Sequence, residues 1–284
     1  MGRKTTHSIR LMKKKGKKIV MLTSYDAPTA KILSDCGVDM ILVGDSVGNT
    51  LLGYESTVPV TLDDVIHHSA AVARAKPNCL IVGDMPFMSY KVSVEQALEN
   101  CGLMLQEGGA EAVKIEGAGR AIEIVKAVVD SGIPVMGHIG LTPQSIYEFG
   151  GYRIQGRTAD TAKQLVEQAR SLEDAGVFSM VIELVPSETA KVITESVQVP
   201  TIGIGAGPHC DGQVLVLHDM LGLFQDFKPT FVKRYANIHE VIVNAVKEYS
   251  KEVREGIFPD DDHSFEMADV ETGRLYGRTT PPDK

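Results

Sequence analysis

Short apolar runs alternate along this chain with stretches that have helical periodicity. Eight runs stand out, at residues 19–23, 40–43, 80–82, 112–115, 135–137, 177–182, 201–204 and 214–217. Apolar runs of this length, separated by helical patterns, are typical of parallel strands joined by crossover helices. Eight such units in one chain predict an α/β protein with a closed (β/α)8 TIM barrel. An open doubly wound sheet is the alternative, because the eighth run is weak.

The same pattern sets the limits of helices, loops and domains. Thr61 precedes Asp64, and Ser93 precedes Gln96, at the spacing of a capping box, so a helix is predicted to begin after each. Two long connections, 46–60 and 139–158, leave strand ends and are predicted to cover a substrate. We expect a single catalytic barrel domain over residues 1–265. Residues 266–284 are expected to form a polar, flexible C-terminal extension or an arm on a neighbouring subunit.

Several of the apolar runs end on a residue that can do chemistry. Asp45, Asp84 and Glu116 follow three successive runs. In parallel α/β folds, ligands bind at the carboxyl ends of the strands, so these carboxylates are expected to converge. Clustered carboxylates favour a bound cation, and an oxygen-only ligand set favours Mg²⁺ over zinc. For any single aspartate, the alternative is a helix cap or an ion pair with a lysine.

Three further polar residues lie at strand ends. Lys114 shares a strand face with Glu116, and the pair is either structural or a ligand site at the mouth of the barrel. His138 is either a satisfied structural donor or a catalyst. Glu183 stands between two apolar residues, a setting that would raise the pKa of its carboxyl group and suit a general base. The alternative for Glu183 is an ion pair with a buried Arg or Lys.

Two segments could be taken for phosphate sites, but the sequence favours a simpler structure for each. The glycine-rich segment 203–207 follows a late strand, as barrel phosphate loops do. No typical helix N-cap residue comes after it, so a tight barrel turn is predicted instead. The lysine-rich segment 13–18 leads directly into the first strand and is predicted to be a solvated turn.

The composition narrows the class of protein. With 284 residues, of which 43% are hydrophobic, the chain can bury a full core. The net charge of -8 argues against a nucleic-acid partner. No apolar run approaches the roughly 20 residues that span a bilayer, so no membrane partner is expected. The four cysteines form no C-x-x-C pair, which predicts reduced thiols in a cytoplasmic protein.

Ten segments, in order along the chain, match the pattern of a single enzyme family. They are LTSYDA (22–27), LVGDS (42–46), PVT (59–61), DMPF (84–87), VKIEG (113–117), GHIGLTPQ (137–144), GGY (150–152), QG (155–156), GIGAG (203–207) and CDGQ (210–213). With these segments the chain resembles the ketopantoate hydroxymethyltransferases over about residues 5–265. Beyond residue 265 the family pattern stops.

The resemblance implies a Mg²⁺-dependent TIM-barrel enzyme of pantothenate and coenzyme A biosynthesis. Such an enzyme transfers a hydroxymethyl group from methylenetetrahydrofolate to 3-methyl-2-oxobutanoate (α-ketoisovalerate) through a Mg²⁺-stabilised enolate, giving 2-dehydropantoate (ketopantoate). The implied metal site consists of Asp45, Asp84 and Glu116, the last through water. The implied substrate-binding residues are Asp45, Ser46, Asp84, Lys114 and His138. Glu183 is the implied catalytic base, and the implied assembly is a homo-oligomer, a decamer of two pentamers.

Two other classes of protein stay open at this point. A lyase or mutase of the isocitrate lyase and phosphoenolpyruvate mutase type would share the barrel, the Mg²⁺ and the enolate, but would not need folate. A non-catalytic binding protein on a barrel scaffold is disfavoured, because Asp45, Asp84, Lys114 and Glu183 are all present. Turnover that depends on folate would exclude the lyase or mutase. Any turnover at all would exclude the non-catalytic binding protein.

Overall fold

A closed barrel of eight parallel strands forms the centre of the protein. The computed structural model describes residues 2–225 and 229–277. The strands are β1 (Ile19–Thr23), β2 (Met40–Val43), β3 (Leu80–Asp84), β4 (Ala112–Glu116), β5 (Val135–Gly140), β6 (Ser179–Glu183), β7 (Thr201–Ile204) and β8 (Gly212–Leu215). They follow one another in sequence order around the barrel, and β8 closes it by pairing with β1. The predicted (β/α)8 barrel is therefore confirmed, and the open doubly wound sheet is excluded.

Helices follow most of the strands. They are α1 (Thr6–Lys14), α2 (Ala27–Asp35), α3 (Val47–Thr50), α4 (Leu62–Arg74), α5 (Val94–Gln106), α6 (Arg120–Asp130), α7 (Ile146–Phe149), α8 (Ala159–Asp174), α9 (Ser187–Ser196), α10 (Leu217–Met220), α11 (Ile238–Glu255) and α12 (Asp269–Leu275), with 3₁₀ turns at Pro143–Ser145 and Asp261–His263. The capping box predicted before α4 is present, because the side chains of Thr61 and Asp64 each accept the other's backbone N–H. Ser93 caps α5 by accepting from the Gln96 N–H, but Gln96 itself accepts from Val92 N.

The strand ends differ from the sequence prediction in a consistent way. β3, β4 and β5 continue past their apolar runs and include Asp84, Glu116 and His138. The polar side chains break the apolar pattern, but the backbone ladder continues through them, as the pairs Asp84–Lys114 and Glu116–His138 show. β8 begins at Gly212, ahead of its predicted start, because the missing side chain lets the strand lie against Ile19.

The barrel has two buried layers, separated by the alternation of side chains along each strand. In β2, Met40 and Leu42 point into the barrel, while Ile41 and Val43 face the surrounding helices. Asp84 lies two positions after Val82 in β3, and Val82 belongs to the interior core. Because side chains alternate along a strand, the Asp84 side chain also points into the barrel. The site is therefore the uppermost layer of the barrel interior, directly above an apolar core.

Helix α1 closes the amino-terminal end of the barrel. Ile9 is fully buried and packs with the interior core. Lys13 Nζ lies 2.9 Å from Asp211 Oδ2 and donates to the carbonyl oxygens of Thr194 and Val199. The solvated turn predicted for 13–18 is thus wrong at Lys13, because that side chain is directed towards carbonyls at the base of the barrel. The lysines that follow it are exposed, as predicted.

The described residues divide into two compact units, one ending at Tyr235 and the other beginning at Ala236. In the second unit, α11 carries Ile242, Val246, Tyr249 and Val253 at alternating spacings of three and four residues, each about half exposed. The domain limit at residue 265 stays a prediction. α12 lies within the predicted extension, and residues 278–284 of that extension lie outside the described residues. Among the residues that the structure describes, no helix combines the length and apolar character that crossing a bilayer demands.

Candidate active site

Polar side chains from five neighbouring strands meet at the carboxyl end of the barrel. These residues are Asp45, just after the end of β2, and Asp84, Lys114, Glu116, His138 and Glu183, in β3 to β6. All but Glu183 are buried, and Glu183 retains a side-chain exposure of 14%. The convergence expected from the sequence is therefore observed, and the residues form a connected network of charges.

Lys114 is the centre of this network. Its ammonium nitrogen lies 2.7 Å from Asp84 Oδ1, 3.2 Å from Glu116 Oε1 and 3.3 Å from His138 Nδ1. Burial lowers the pKa of Lys114, but the charges of Asp84 and Glu116 outweigh it and raise the pKa well above its usual value. The side chain therefore stays a cation in a site from which water is largely excluded.

His138 lies between two carboxylates. Its Nδ1 is 3.3 Å from Glu116 Oε1, and its Nε2 is 3.3 Å from Glu183 Oε2, although the second contact is too bent for a full hydrogen bond. Burial and the charge of Lys114 lower the pKa of His138, but the contacts with Glu116 and Glu183 raise it overall to about 9. The raised pKa favours the imidazolium form, in which a protonated Nδ1 faces Glu116 Oε1.

Asp45 and Asp84 form a pair of buried carboxylates. The Asp45 backbone N–H donates to Asp84 Oδ2 at 3.1 Å, and Gln144 Nε2 donates to Asp45 Oδ2 at 3.2 Å. Burial, followed by the charges of Asp84 and Glu116, raises the pKa of Asp45 well above its usual range. Burial also raises the pKa of Asp84, against the opposing charge of Lys114. Asp84 Oδ1 is buried and accepts no well-aligned hydrogen bond, although Lys114 is close to it.

Glu116 is already occupied by protein donors. Its Oε1 faces Lys114 and His138, and its Oε2 accepts the Gln144 backbone N–H at 3.1 Å. Burial opposes ionisation, yet Lys114 and His138 lower the pKa of Glu116 to about 2. Within residues 2–225 and 229–277, no group of three or more His, Cys, Asp or Glu side chains has an arrangement that could hold a metal ion. Direct ligation by Glu116 beside Asp45 and Asp84 is thus unsupported.

The backbone around Glu183 is tightly held. Gly140 pairs with Glu183 across β5 and β6 at a φ of +93°, and a Cβ at that position would collide with the Glu183 carbonyl oxygen. Leu184, the next residue, adopts a φ of 44°, which is strained for a non-glycine side chain. Its N–H donates to Ile204 O at 2.9 Å, so the strained turn is fixed by the neighbouring strand. These features fix the backbone from which the Glu183 side chain extends.

Sequence reasoning missed three polar residues that organise the site. Gln144 contacts both Asp45 and Glu116 and is buried. Tyr90 is fully buried and donates to Glu116 O and to Gln144 Oε1. Tyr25 lies 2.8 Å from Ser46 Oγ through its hydroxyl, so it orients that predicted substrate ligand. Gln144 could have been suspected, because it is a polar residue shortly after a strand end in the matched segment 137–144.

The long loops and the glycine-rich segment have the roles expected from the sequence only in part. The loop 139–158 reaches the site through Gln144. Burial raises the pKa of Tyr152, in the same loop, and the charges of Glu183 and Asp45 raise it further. In the segment 203–207, Gly205 and Gly207 have φ values of +60° and +74°, which agrees with the predicted tight turn.

Comparison with known sequences assigns the chain to a family. The profile of the ketopantoate hydroxymethyltransferase family matches residues 3–261. A 3-methyl-2-oxobutanoate hydroxymethyltransferase from Thermoanaerobacter sp. (strain X514) is 56% identical over 263 residues, covering 93% of this chain and 96% of that protein. The protein of the same name from Thermotoga maritima is 58% identical over 257 residues, covering 90% of this chain and 95% of that protein.

Solved structures of low sequence identity share the fold. Phosphonopyruvate hydrolase in complex with oxalate and Mg²⁺ has a TM-score of 0.60 at 12% identity, with 96% of this chain and 95% of that chain covered. 2,3-Dimethylmalate lyase, a member of the PEP mutase/isocitrate lyase superfamily, has a TM-score of 0.57 at 14% identity, with 95% and 94% covered. Such distant likenesses support the barrel alone. The sequence matches decide the assignment, and the chain belongs to the ketopantoate hydroxymethyltransferase family.

Proposed function

We propose that this enzyme transfers a hydroxymethyl group from methylenetetrahydrofolate to 3-methyl-2-oxobutanoate, giving 2-dehydropantoate for pantothenate biosynthesis. The observation that carries the proposal is the buried Asp45–Asp84 pair beside the Lys114–His138–Glu183 network, in a chain that belongs to this family. Such a site offers anchoring groups for a keto acid and a base within one water-excluding pocket.

The carboxylate pair fits a divalent cation, and we propose Mg²⁺. Four carboxyl groups, Asp45, Asp84, Glu116 and Glu183, lie around two buried cationic side chains, Lys114 and His138. The raised pKa of Asp45, which burial and the charges of Asp84 and Glu116 cause, supports a missing positive charge beside that carboxylate. Asp45 and Asp84 would hold the ion, with Glu116 acting through water. A bound Mg²⁺ supplies Lewis-acid polarisation of the keto acid's carbonyl group.

The remaining residues of the network bind and activate the substrate. Removal of the proton at C3 of the keto acid develops negative charge on its carbonyl oxygen. Lys114 is a buried ammonium at the mouth of the barrel and would stabilise that charge. Glu183 would take the proton, because it is the most exposed carboxylate of the network. His138 is less suited to this role, because its contacts with Glu116 and Glu183 raise its pKa and favour the protonated ring.

The wider biology of the protein is proposed on other grounds. The apolar row on α11 supports a homo-oligomer, since four large apolar side chains there are about half exposed. The decamer stays an expectation from the family. The four cysteines are unpaired, three of them buried, which supports a reducing, cytoplasmic setting. The net charge of -8 supports small-molecule substrates rather than nucleic acid.

Turnover tests the proposed reaction directly. The protein should convert 3-methyl-2-oxobutanoate to 2-dehydropantoate only when methylenetetrahydrofolate and Mg²⁺ are both present. Product can be measured by mass spectrometry, with a reaction lacking folate as the control. Carbon–carbon cleavage or rearrangement of the keto acid without folate would instead support a lyase or mutase and refute the proposal.

A further inference from the structure

The Gln144 side chain makes contacts that the proposed reaction does not use. Its carboxamide nitrogen donates to Asp45 Oδ2 at 3.2 Å and to Met85 O at 2.9 Å. Its carboxamide oxygen accepts from the Tyr90 hydroxyl at 3.0 Å. Every polar atom of this side chain is therefore engaged, in a residue that is only 3% exposed.

The orientation of the amide follows from its neighbours. Met85 O is a backbone carbonyl and can only accept, so the amide nitrogen must be the atom that faces it. Asp45 Oδ2 accepts from the same amide nitrogen, and the Tyr90 hydroxyl, whose single proton lies between Glu116 O and Gln144 Oε1, faces the amide oxygen. The amide is thus held in one direction, with its N–H group aimed at Asp45.

This fixed donor restricts how Asp45 can use its carboxylate. Gln144 occupies Oδ2, which leaves Oδ1 as the free oxygen of a carboxylate that is 4% exposed. A carboxylate with one oxygen held by a protein donor and the other left for the cation is the arrangement that an outer hydrogen bond to a metal ligand provides.

We infer that Gln144 is a positioning residue that orients Asp45 for a divalent cation. The inference rests on the proposed function, because Asp45 is a ligand there by proposal. Gln144 touches no reacting atom in this arrangement, so its substitution weakens metal binding more than it changes the chemistry. Removal of such outer hydrogen bonds to a metal ligand typically costs 10–100-fold in metal affinity.

The test is Mn²⁺ binding by the full-length protein, measured by isothermal titration calorimetry and by electron paramagnetic resonance of free Mn²⁺. Gln144→Met keeps the side-chain length, removes the donor and leaves the backbone bond from Gln144 to Glu116 in place. We expect its Kd for Mn²⁺ to rise by about 10–100-fold, with turnover largely restored at saturating metal. Gln155→Met is the matched control, because the Gln155 side chain lies in the same loop and donates to Arg153 O, away from Asp45, and the variant should bind Mn²⁺ as the wild type does.

Tyr90→Phe provides a second variant that keeps Gln144 but removes the hydroxyl that holds its amide. We expect a smaller rise in the Kd for Mn²⁺, in the same direction. Unchanged Mn²⁺ affinity in both Gln144→Met and Tyr90→Phe would overturn the role of Gln144 but leave the proposed metal site standing. A loss of Mn²⁺ affinity in Gln155→Met equal to that in Gln144→Met would do the same. A wild-type protein that binds no Mn²⁺ overturns the proposed metal site and this inference with it. Thermal unfolding without metal shows that each variant is folded.

Discussion

Gly140 provides a test of how strictly the position of Glu183 is set. In the variant Gly140→Ala, the new Cβ would meet the Glu183 carbonyl oxygen and lie 3.0 Å from Val185 Cγ1. Ordinary contacts begin at 3.4 Å, so β5 and β6 would have to separate by roughly 1 Å at this point. A shift of that size at a catalytic group can cost about 100-fold in rate. The alanine must also adopt a φ of +93°, which costs about 1–2 kcal/mol.

The variant Gly132→Ala separates the steric shift of the strands from the backbone cost of a positive φ. Gly132 has a φ of +92°, but nothing lies within 4 Å of its Cβ position, and it follows α6 on the side away from the site. Both variants should lose about 1–2 kcal/mol of unfolding free energy from the backbone term. Only Gly140→Ala should lose turnover, by about 100-fold. Steady-state kinetics and urea unfolding measure both quantities, and wild-type turnover in Gly140→Ala would refute the claim that the strand pairing positions Glu183.

Three further outcomes are expected. Asp84→Asn should abolish Mg²⁺-dependent turnover as chelation of the wild type does, and full activity of the variant in chelator would refute its role. A chain ending at Phe265 should keep its turnover per folded subunit, and a large loss with the assembly intact would show that residues 266–284 reach a site. The pKa of His138 is raised from 6.5 to about 9 in the folded protein. The contribution of His138 to the free energy of unfolding is therefore fully present below pH 6.5 and is lost as the pH rises through 9. Urea unfolding of metal-free protein should show this loss, on the order of 3 kcal/mol, and His138→Gln should lack it.

The barrel could be predicted from the sequence because strand order follows chain order. Most of the apolar runs are followed by a helix before the next run, so local pattern and global topology agree. The strand ends were less predictable, since inward-pointing Asp84, Glu116 and His138 look like loop residues in a hydropathy pattern. The separate unit beginning at Ala236 was missed, because α11 has the amphipathic pattern of an ordinary barrel helix.

The charged residues of the site could be found from the sequence, but their partners could not. Strand-end positions identified Lys114, His138 and Glu183, because the carboxyl ends of parallel strands must lie together. The contact between His138 and Glu183 depends on the stagger of β5 against β6, which no local pattern reveals. Gln144 was missed for the same reason, since its contacts with Asp45 and Tyr90 cross the barrel mouth between elements distant in sequence.

Hydrogen exchange at C3 of the keto acid tests the central claim, that Glu183 is the base, most directly. Wild-type protein with Mg²⁺ and no folate should exchange that hydrogen for solvent deuterium, followed by proton NMR of 3-methyl-2-oxobutanoate. Glu183→Gln removes only the basic oxygen, so exchange should fall by about 10²–10⁴-fold while keto acid still binds. Glu188→Gln makes the same change at an exposed position on α9 and should exchange at the wild-type rate. Undiminished exchange in Glu183→Gln would contradict the account.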